Sequence, residues 1–307
     1  MQTKVSHSPV QLLEEPVLAP FGVTVYLKRD DLLHPEVSGN KWRKLKHNLT
    51  EAAAQGKDTI LTFGGAYSNH IHATAAAGRL FGFKTVGIIR GEETLPPNST
   101  LEFARDCGMR LLYVDRATYA NKYQWEFLES LSDHFGDFYL LPEGGTNALA
   151  VKGCAEIVPE IDVDFQCICC CCGTGGTLAG LVASLAPHQR ALGFSVLKGG
   201  DFLAGEVKQV LKAYRNAFEG MPFVSSSFQI IKDYHFGGYA KTSPELYQFI
   251  RTFEQRHGIL LDQVYTGKML AGLYDMIQKG HFKAGQTIVV VHTGGAQGRN
   301  REWEEGT

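Results

Sequence analysis

Short apolar runs alternate with longer amphipathic stretches through most of the chain. Runs over 24–28, 59–63, 84–89, 110–114, 165–172, 190–196 and 287–292 are bounded by polar or glycine-containing turns and predict strands. Between them, 41–55, 69–82, 99–108, 122–135, 178–185, 202–218, 244–257 and 268–279 predict helices. Such alternation predicts an α/β protein with open, twisted, mainly parallel sheets and helices on both faces. Three strand–helix units fall within residues 45–154 and are expected to form a small inserted α/β domain. Residues 1–44 and 155–307 would then build a larger one, with a ligand cleft between the two. No internal repeat or low-complexity linker interrupts the pattern.

Composition narrows the class. Across 307 residues, 44% are hydrophobic and 20% charged, and the formal charge is −2, so bulk charge offers no attraction for nucleic acid or an anionic membrane. No apolar run reaches the ~18 residues a membrane span needs. The start, MQTKVSHSPVQLLEE, lacks the apolar core of a signal peptide. A cytoplasmic protein with a small-molecule partner is expected. Glycine supplies 34 of the 307 residues, including six Gly-Gly pairs. Glycine at many strand ends suits a backbone wrapped closely around a ligand.

Five of the seven cysteines lie in Cys167-Ile-Cys-Cys-Cys-Cys172. CxxC spacing occurs within this stretch, but no second CxxC or HxxxH follows at finger-like distance. A buried strand in which cysteine acts as a small hydrophobe is the better reading, and no metal is expected.

Three segments carry candidate chemistry. In Ser38-Gly-Asn-Lys41-Trp-Arg-Lys44, Ser38 and Asn40 are plausible helix caps that would place Lys41 on a first turn. The positive field there favours the neutral amine that a Schiff-base lysine needs, although a solvated surface lysine fits the same residues. In Phe63-Gly-Gly-Ala-Tyr67-Ser68-Asn69-His70, a strand runs through a glycine turn into a helix start suited to a carboxylate, or simply to a capped helix. In Cys172-Gly173-Thr174-Gly175-Gly176-Thr177, the same arrangement makes a phosphate cradle. It is neither a P-loop nor a good dinucleotide fingerprint. A Schiff-base lysine, a phosphate cradle and a carboxylate cradle together describe a pyridoxal phosphate enzyme acting on an amino acid.

The chain resembles the D-cysteine desulfhydrase / 1-aminocyclopropane-1-carboxylate deaminase family of fold type II, the tryptophan-synthase-β type. SGNK-x-RKL, GG-x-x-SNH, LPEGG-x-N, CGTGGT, VYTGK and HTGG occur in that order between Leu27 and Gly298. The resemblance implies that Lys41 carries the Schiff base to pyridoxal 5'-phosphate and shuttles the Cα proton. It further implies that Asn69 bonds the cofactor's phenolic oxygen, Ser68 meets the substrate carboxylate, and Gly173 to Thr177 hold the phosphate beside Lys44. Tyr239 and Tyr265 match tyrosines facing the substrate, and a homodimer is implied.

Two positions separate the family's branches. Deaminases carry glutamate after the VY tyrosine, paired with the pyridine nitrogen, and leucine in the HTGG segment. Here these are Thr266 and Thr293. Both follow the desulfhydrase pattern, and a neutral partner suffices where thiolate is the leaving group. The expected reaction is therefore α,β-elimination on a small D-amino acid, D-cysteine giving pyruvate, hydrogen sulfide and ammonia. The alternatives are deamination of 1-aminocyclopropane-1-carboxylate and a non-catalytic cofactor carrier. Tyr67, at a substrate-binding position, replaces the desulfhydrases' glutamine and leaves the substrate open.

Overall fold

The computed structural model describes residues 8–218 and 227–299. Among them are strands β1 (Val10–Leu12), β2 (Thr24–Lys28), β3 (Thr59–Gly65), β4 (Lys84–Arg90), β5 (Arg110–Val114), β6 (Tyr139–Leu141), β7 (Cys167–Cys172), β8 (Arg190–Ser195), β9 (Ser227–Ile231) and β10 (Thr287–Val291). The helices are α1 (Asn40–Ala54), α2 (Asn69–Phe81), α3 (Ser99–Asp106), α4 (Arg116–Ala120), α5 (Trp125–Phe135), α6 (Ala148–Ala155), α7 (Gly176–Ser184), α8 (Leu203–Ala217), α9 (Pro244–His257) and α10 (Thr266–Gln278).

The strands form two sheets, ordered β1-β2-β10-β7-β8-β9 and β5-β4-β3-β6. Every pairing is parallel except β1 with β2. Helices cover both faces of each sheet, as the alternation predicts. On the six-stranded sheet, Cys167, Cys169, Ile288 and Val290 pack with α9 and α10, while Ile168, Cys170, Val289 and Val291 pack with α6, α7 and α8. The four strands of the second sheet come from residues 59–141. They bury Ile60 and Leu141 against α1 and α2, and Leu61, Phe63 and Ile88 against α4 and α5.

The cysteine run is a central strand, buried throughout and paired with β10 and β8. Its side chains alternate between the two cores as period-2 geometry requires. All seven thiols are free, and among the described residues no cluster of metal-ligating side chains exists. No described helix is long and apolar enough to cross a membrane.

A buried ion-pair network ties the entry of α1 to the six-stranded sheet. Arg43 grips Asp30 through two bonds, Nε to Oδ2 at 3.1 Å and Nη2 to Oδ1 at 2.9 Å. Its guanidinium also reaches Glu160, to which Lys28 Nζ donates at 2.9 Å. Burial alone would raise the Glu160 pKa, but bonds from Arg43 and Lys28 outweigh it and hold the group at about 2. A depressed folded-state pKa means stability that is complete above the ordinary value of 4.5 and is lost as pH falls toward 2. Arg43→Met leaves Asp30 buried without its cation and should cost about 3 kcal/mol. Thermal melts by circular dichroism should show that loss at neutral pH, with a flatter acid dependence than the parent.

Candidate active site

The cleft lies beyond the carboxyl ends of β3, β6, β7 and β10, the usual ligand position in open parallel sheets. It encloses about 710 Å³. Lys41, Lys44, Ser68, Asn69, Gly173 through Thr177, Tyr239, Tyr265 and Thr293 all line it, although they span 253 positions of sequence, 41 to 293 inclusive.

Lys41 lies in the first turn of α1, but the helix starts differently from the sequence expectation. Gly39, at φ 62° and ψ −137°, occupies the cap position, and no side chain caps the helix. Ser38 Oγ instead contacts Asp31 O at 3.4 Å, and Asn40 Nδ2 donates to Thr177 Oγ1 at 2.9 Å. Burial pushes the Lys41 ammonium well below its usual pKa, and the neighbouring charge of Lys44 pushes the same way. Desolvation is therefore the first cause that favours a neutral amine here.

Both lysines converge on one carbonyl. Lys44 Nζ donates to Gly144 O at 2.9 Å and to Thr146 Oγ1 at 3.2 Å, while Lys41 Nζ approaches Gly144 O at 3.4 Å. The LPEGG segment thus supplies an acceptor at the cleft floor. Gly144 and Gly145 each have φ of 66°, the left-handed turn that aims this carbonyl inward.

At the phosphate cradle, β7 ends at Cys172 and α7 begins at Gly176 after Gly175 turns at φ 80°. A Cβ on Gly176 would lie 2.7 Å from Thr146 Oγ1 and 3.1 Å from Lys44 Nζ, so a side chain there would displace groups that line the cradle. Thr174 Oγ1 and Thr146 Oγ1 are 2.6 Å apart.

Ser68 caps α2. Its Oγ accepts from His70 N at 3.2 Å and Ile71 N at 3.3 Å, so two of the amides expected to meet a carboxylate are already satisfied. Since its oxygen accepts twice, the Ser68 hydroxyl keeps its hydrogen as the donor it can offer. Tyr239 and Tyr265 meet edge to face, with ring centroids 6.1 Å apart. Burial raises both phenol pKa values, keeping these groups as hydrogen-bond donors.

Two expected site residues lie elsewhere. Tyr67 is 61% exposed and does not line the cleft. The turn closed by Ser68 N donating to Gly65 O places position 67 at its tip. Thr266 is fully buried behind the cleft, its Oγ1 donating to Asp262 Oδ2 at 2.7 Å. It is therefore committed to Asp262, and Thr293 is the threonine that faces the cleft.

Other supporting residues were not singled out from sequence. Asp262 Oδ1 accepts from Val264 N and Tyr265 N, fixing the backbone that presents Tyr265. Lys268 Nζ donates at 2.8 Å to both His235 O and Gly238 O, holding the loop that carries Tyr239. The lysine of VYTGK was the available signal, but its partners lie thirty or more residues upstream.

The geometry agrees with the relationships of the sequence. Residues 5–294 match the family described as Pyridoxal-phosphate dependent enzyme. The chain belongs to this family. A Pyrococcus furiosus relative named "Putative 1-aminocyclopropane-1-carboxylate deaminase" is 34% identical over 301 residues, covering 95% of this chain and 90% of its own. A Thermotoga maritima relative of the same name is 33% identical over 303 residues, covering 95% and 94%. The solved structure of an ACC deaminase homologue superposes with a TM-score of 0.85 at 31% identity, covering 98% of this chain and 93% of the other. A hydrogen sulfide-producing enzyme from Fusobacterium nucleatum shares the fold, with a TM-score of 0.68 at 16% identity over 96% and 97% of the two chains.

The enzyme is thus a fold type II member that uses pyridoxal phosphate, and its residues fit that cofactor. The glycine-lined start of α7 and the Lys44 ammonium suit a phosphate dianion. The Lys41 amine suits an aldehyde.

Proposed function

We propose that this enzyme is a lyase that deaminates a small amino acid, releasing a 2-oxo acid and ammonia, with 1-aminocyclopropane-1-carboxylate as its substrate. The observation that carries the reading is the convergence of Lys41, the phosphate cradle and the Ser68–Asn69 helix start in one cleft. Two relatives at 33–34% identity bear the corresponding name and supply the substrate.

When bound, the cofactor supplies an electron-withdrawing ring that stabilises negative charge at the substrate Cα. Lys41, held neutral by burial, takes and returns protons at carbon. Ser68 donates to the substrate carboxylate, and Asn69 orients the cofactor ring from the same helix start. Tyr239 and Tyr265 donate hydrogen bonds to the reacting end of the substrate and keep water from it.

Thr293 favours a second reading. It brings a hydroxyl to the cleft, and among the described residues the carboxylates lining that cleft are Glu143 and Glu206. Glu143 is paired with Lys122 at 3.2 Å. A neutral partner at the ring suits departure of thiolate, so D-cysteine giving pyruvate, hydrogen sulfide and ammonia is the alternative.

The test is a panel on purified, cofactor-loaded protein, with 1-aminocyclopropane-1-carboxylate, D- and L-cysteine, D-serine and β-chloro-D-alanine. We expect 2-oxobutyrate from the first. Pyruvate with sulfide from D-cysteine alone would assign the second reading. Retained cofactor with no oxo acid from any substrate would overturn the lyase reading in favour of a carrier.

A further inference from the structure

His70 follows Asn69 on α2, lines the cleft and is almost fully buried. Its Nε2 lies 2.8 Å from Thr62 Oγ1, and the Thr62 hydroxyl lies 2.8 Å from Leu141 O. Thr62 has one proton. Given to the carbonyl, which can only accept, it leaves the oxygen to receive Nε2–H from the ring.

That network places the lone pair of a neutral imidazole on Nδ1. This atom is buried with no hydrogen-bond partner. Electrostatics favours the same tautomer. Burial keeps the ring uncharged, and Lys41 and then Lys44 add to the effect. A lone pair is stable beside the Lys44 ammonium, whereas an orphan N–H would be repelled by it.

The Nδ1–Cε1 edge packs on the turn that Lys41 approaches. A Cβ on Gly145 would lie 3.0 Å from His70 Cε1 and 3.3 Å from Nδ1, while Lys41 Nζ is 3.4 Å from the adjoining Gly144 O. A neutral lysine amine has two protons and one lone pair, and two acceptors meet here, Gly144 O of the turn and His70 Nδ1 packed on it.

We propose that His70 is a positioning residue for Lys41: Nδ1, which no other group occupies, takes one N–H of the amine, Gly144 O takes the other, and the lone pair would be left free for the cleft. Thr62 and Leu141 lock the ring for this task. The inference rests on the reading of Lys41 as the cofactor-linked lysine.

The experiment measures how fast apoprotein takes up pyridoxal phosphate covalently, by borohydride reduction at timed intervals and peptide mass spectrometry. His70→Leu removes the acceptor, and His70→Asn restores an oxygen near the Nδ1 position. We expect uptake on Lys41 to slow at least tenfold in His70→Leu and to recover to within about threefold of the parent in His70→Asn. Noncovalent affinity for inorganic phosphate should be unchanged in both. Unchanged uptake on Lys41 in His70→Leu would overturn the inference alone, whereas labelling of a different lysine in the parent would overturn the reading beneath it. Imidazole ¹⁵N shifts of the unmutated protein give a check that needs no variant. A protonated Nδ1 on His70 would overturn the inference, and a protonated Nε2 with bare Nδ1 supports it.

Discussion

Lys41→Ala should fold, bind pyridoxal phosphate reversibly, and yield no borohydride-stable adduct. The fold should survive because Lys41 contributes one long contact, 3.4 Å to Gly144 O, and carries an amine whose burial disfavours its charge. Lys44, whose own ammonium burial holds below its usual pKa, keeps its bonds to Gly144 O and Thr146 Oγ1 in the variant. The phosphate cradle is untouched, so the cofactor is still held noncovalently. Turnover should fall by about 10³-fold or more, since the group that moves protons at carbon is gone. Borohydride reduction and peptide mapping of parent and variant decide the matter. An adduct on Lys44 in the parent would reassign the reactive amine.

The second large effect is expected at Gly39. A Cβ there would lie 2.0 Å from Thr293 O and 2.2 Å from Thr293 C, and the residue's φ is +62°. Both offending atoms are backbone, so no side chain can swing aside. Asn40 N also donates to that same Thr293 O at 3.3 Å, coupling the start of α1 to the chain after β10. Gly39→Ala should therefore destabilise by about 3 kcal/mol or more and pull Lys41 away from Thr293. Melting temperature and bound-cofactor content should fall together. Gly56→Ala is the control, with a similar φ of +69° and nothing within 4 Å of the added carbon. It should cost only about 1 kcal/mol, the backbone penalty alone. Equal losses in the two variants would refute the steric argument.

The strands legible from sequence are mostly those enclosed by neighbours. β2, β3, β4, β7, β8 and β10 all lie inside their sheets, where burial on two faces writes a continuous apolar run. The unpredicted strands β1, β6 and β9 are all edges, and two are only three residues long. Half-buried edges carry a weaker signal, and β9 reads exposed–intermediate–exposed over its first three residues. Helix α6 was missed for a different reason. It packs against α1, α7 and α8 together, so its sequence ALAVKGCA shows no polar face from which to read a period.

In the site, the motif residues on strand-to-helix turns were legible because glycine marks such turns. The bond from Thr266 to Asp262 was not legible, because sequence adjacency to Tyr265 says nothing about side-chain direction at the start of α10. The Thr266 hydroxyl turns to Asp262, four residues back, and not to the cleft. The acceptor role of His70 was hidden because Thr62 and Leu141, which set its tautomer, lie on separate strands 79 residues apart.

The thiol-rich strand also has a use at the bench. Cys107 is partly exposed, whereas Cys154 and the five thiols of β7 are buried. A maleimide pulse on the native protein should consume Cys107 quickly and then stall. Modification of Cys167, Cys169 or Cys170 requires α9 and α10 on one face, or α6, α7 and α8 on the other, to lift from the sheet, so its labelling rate reads out the opening of the molecule's centre. The chain thus carries its own stopwatch for global breathing, with no engineered probe.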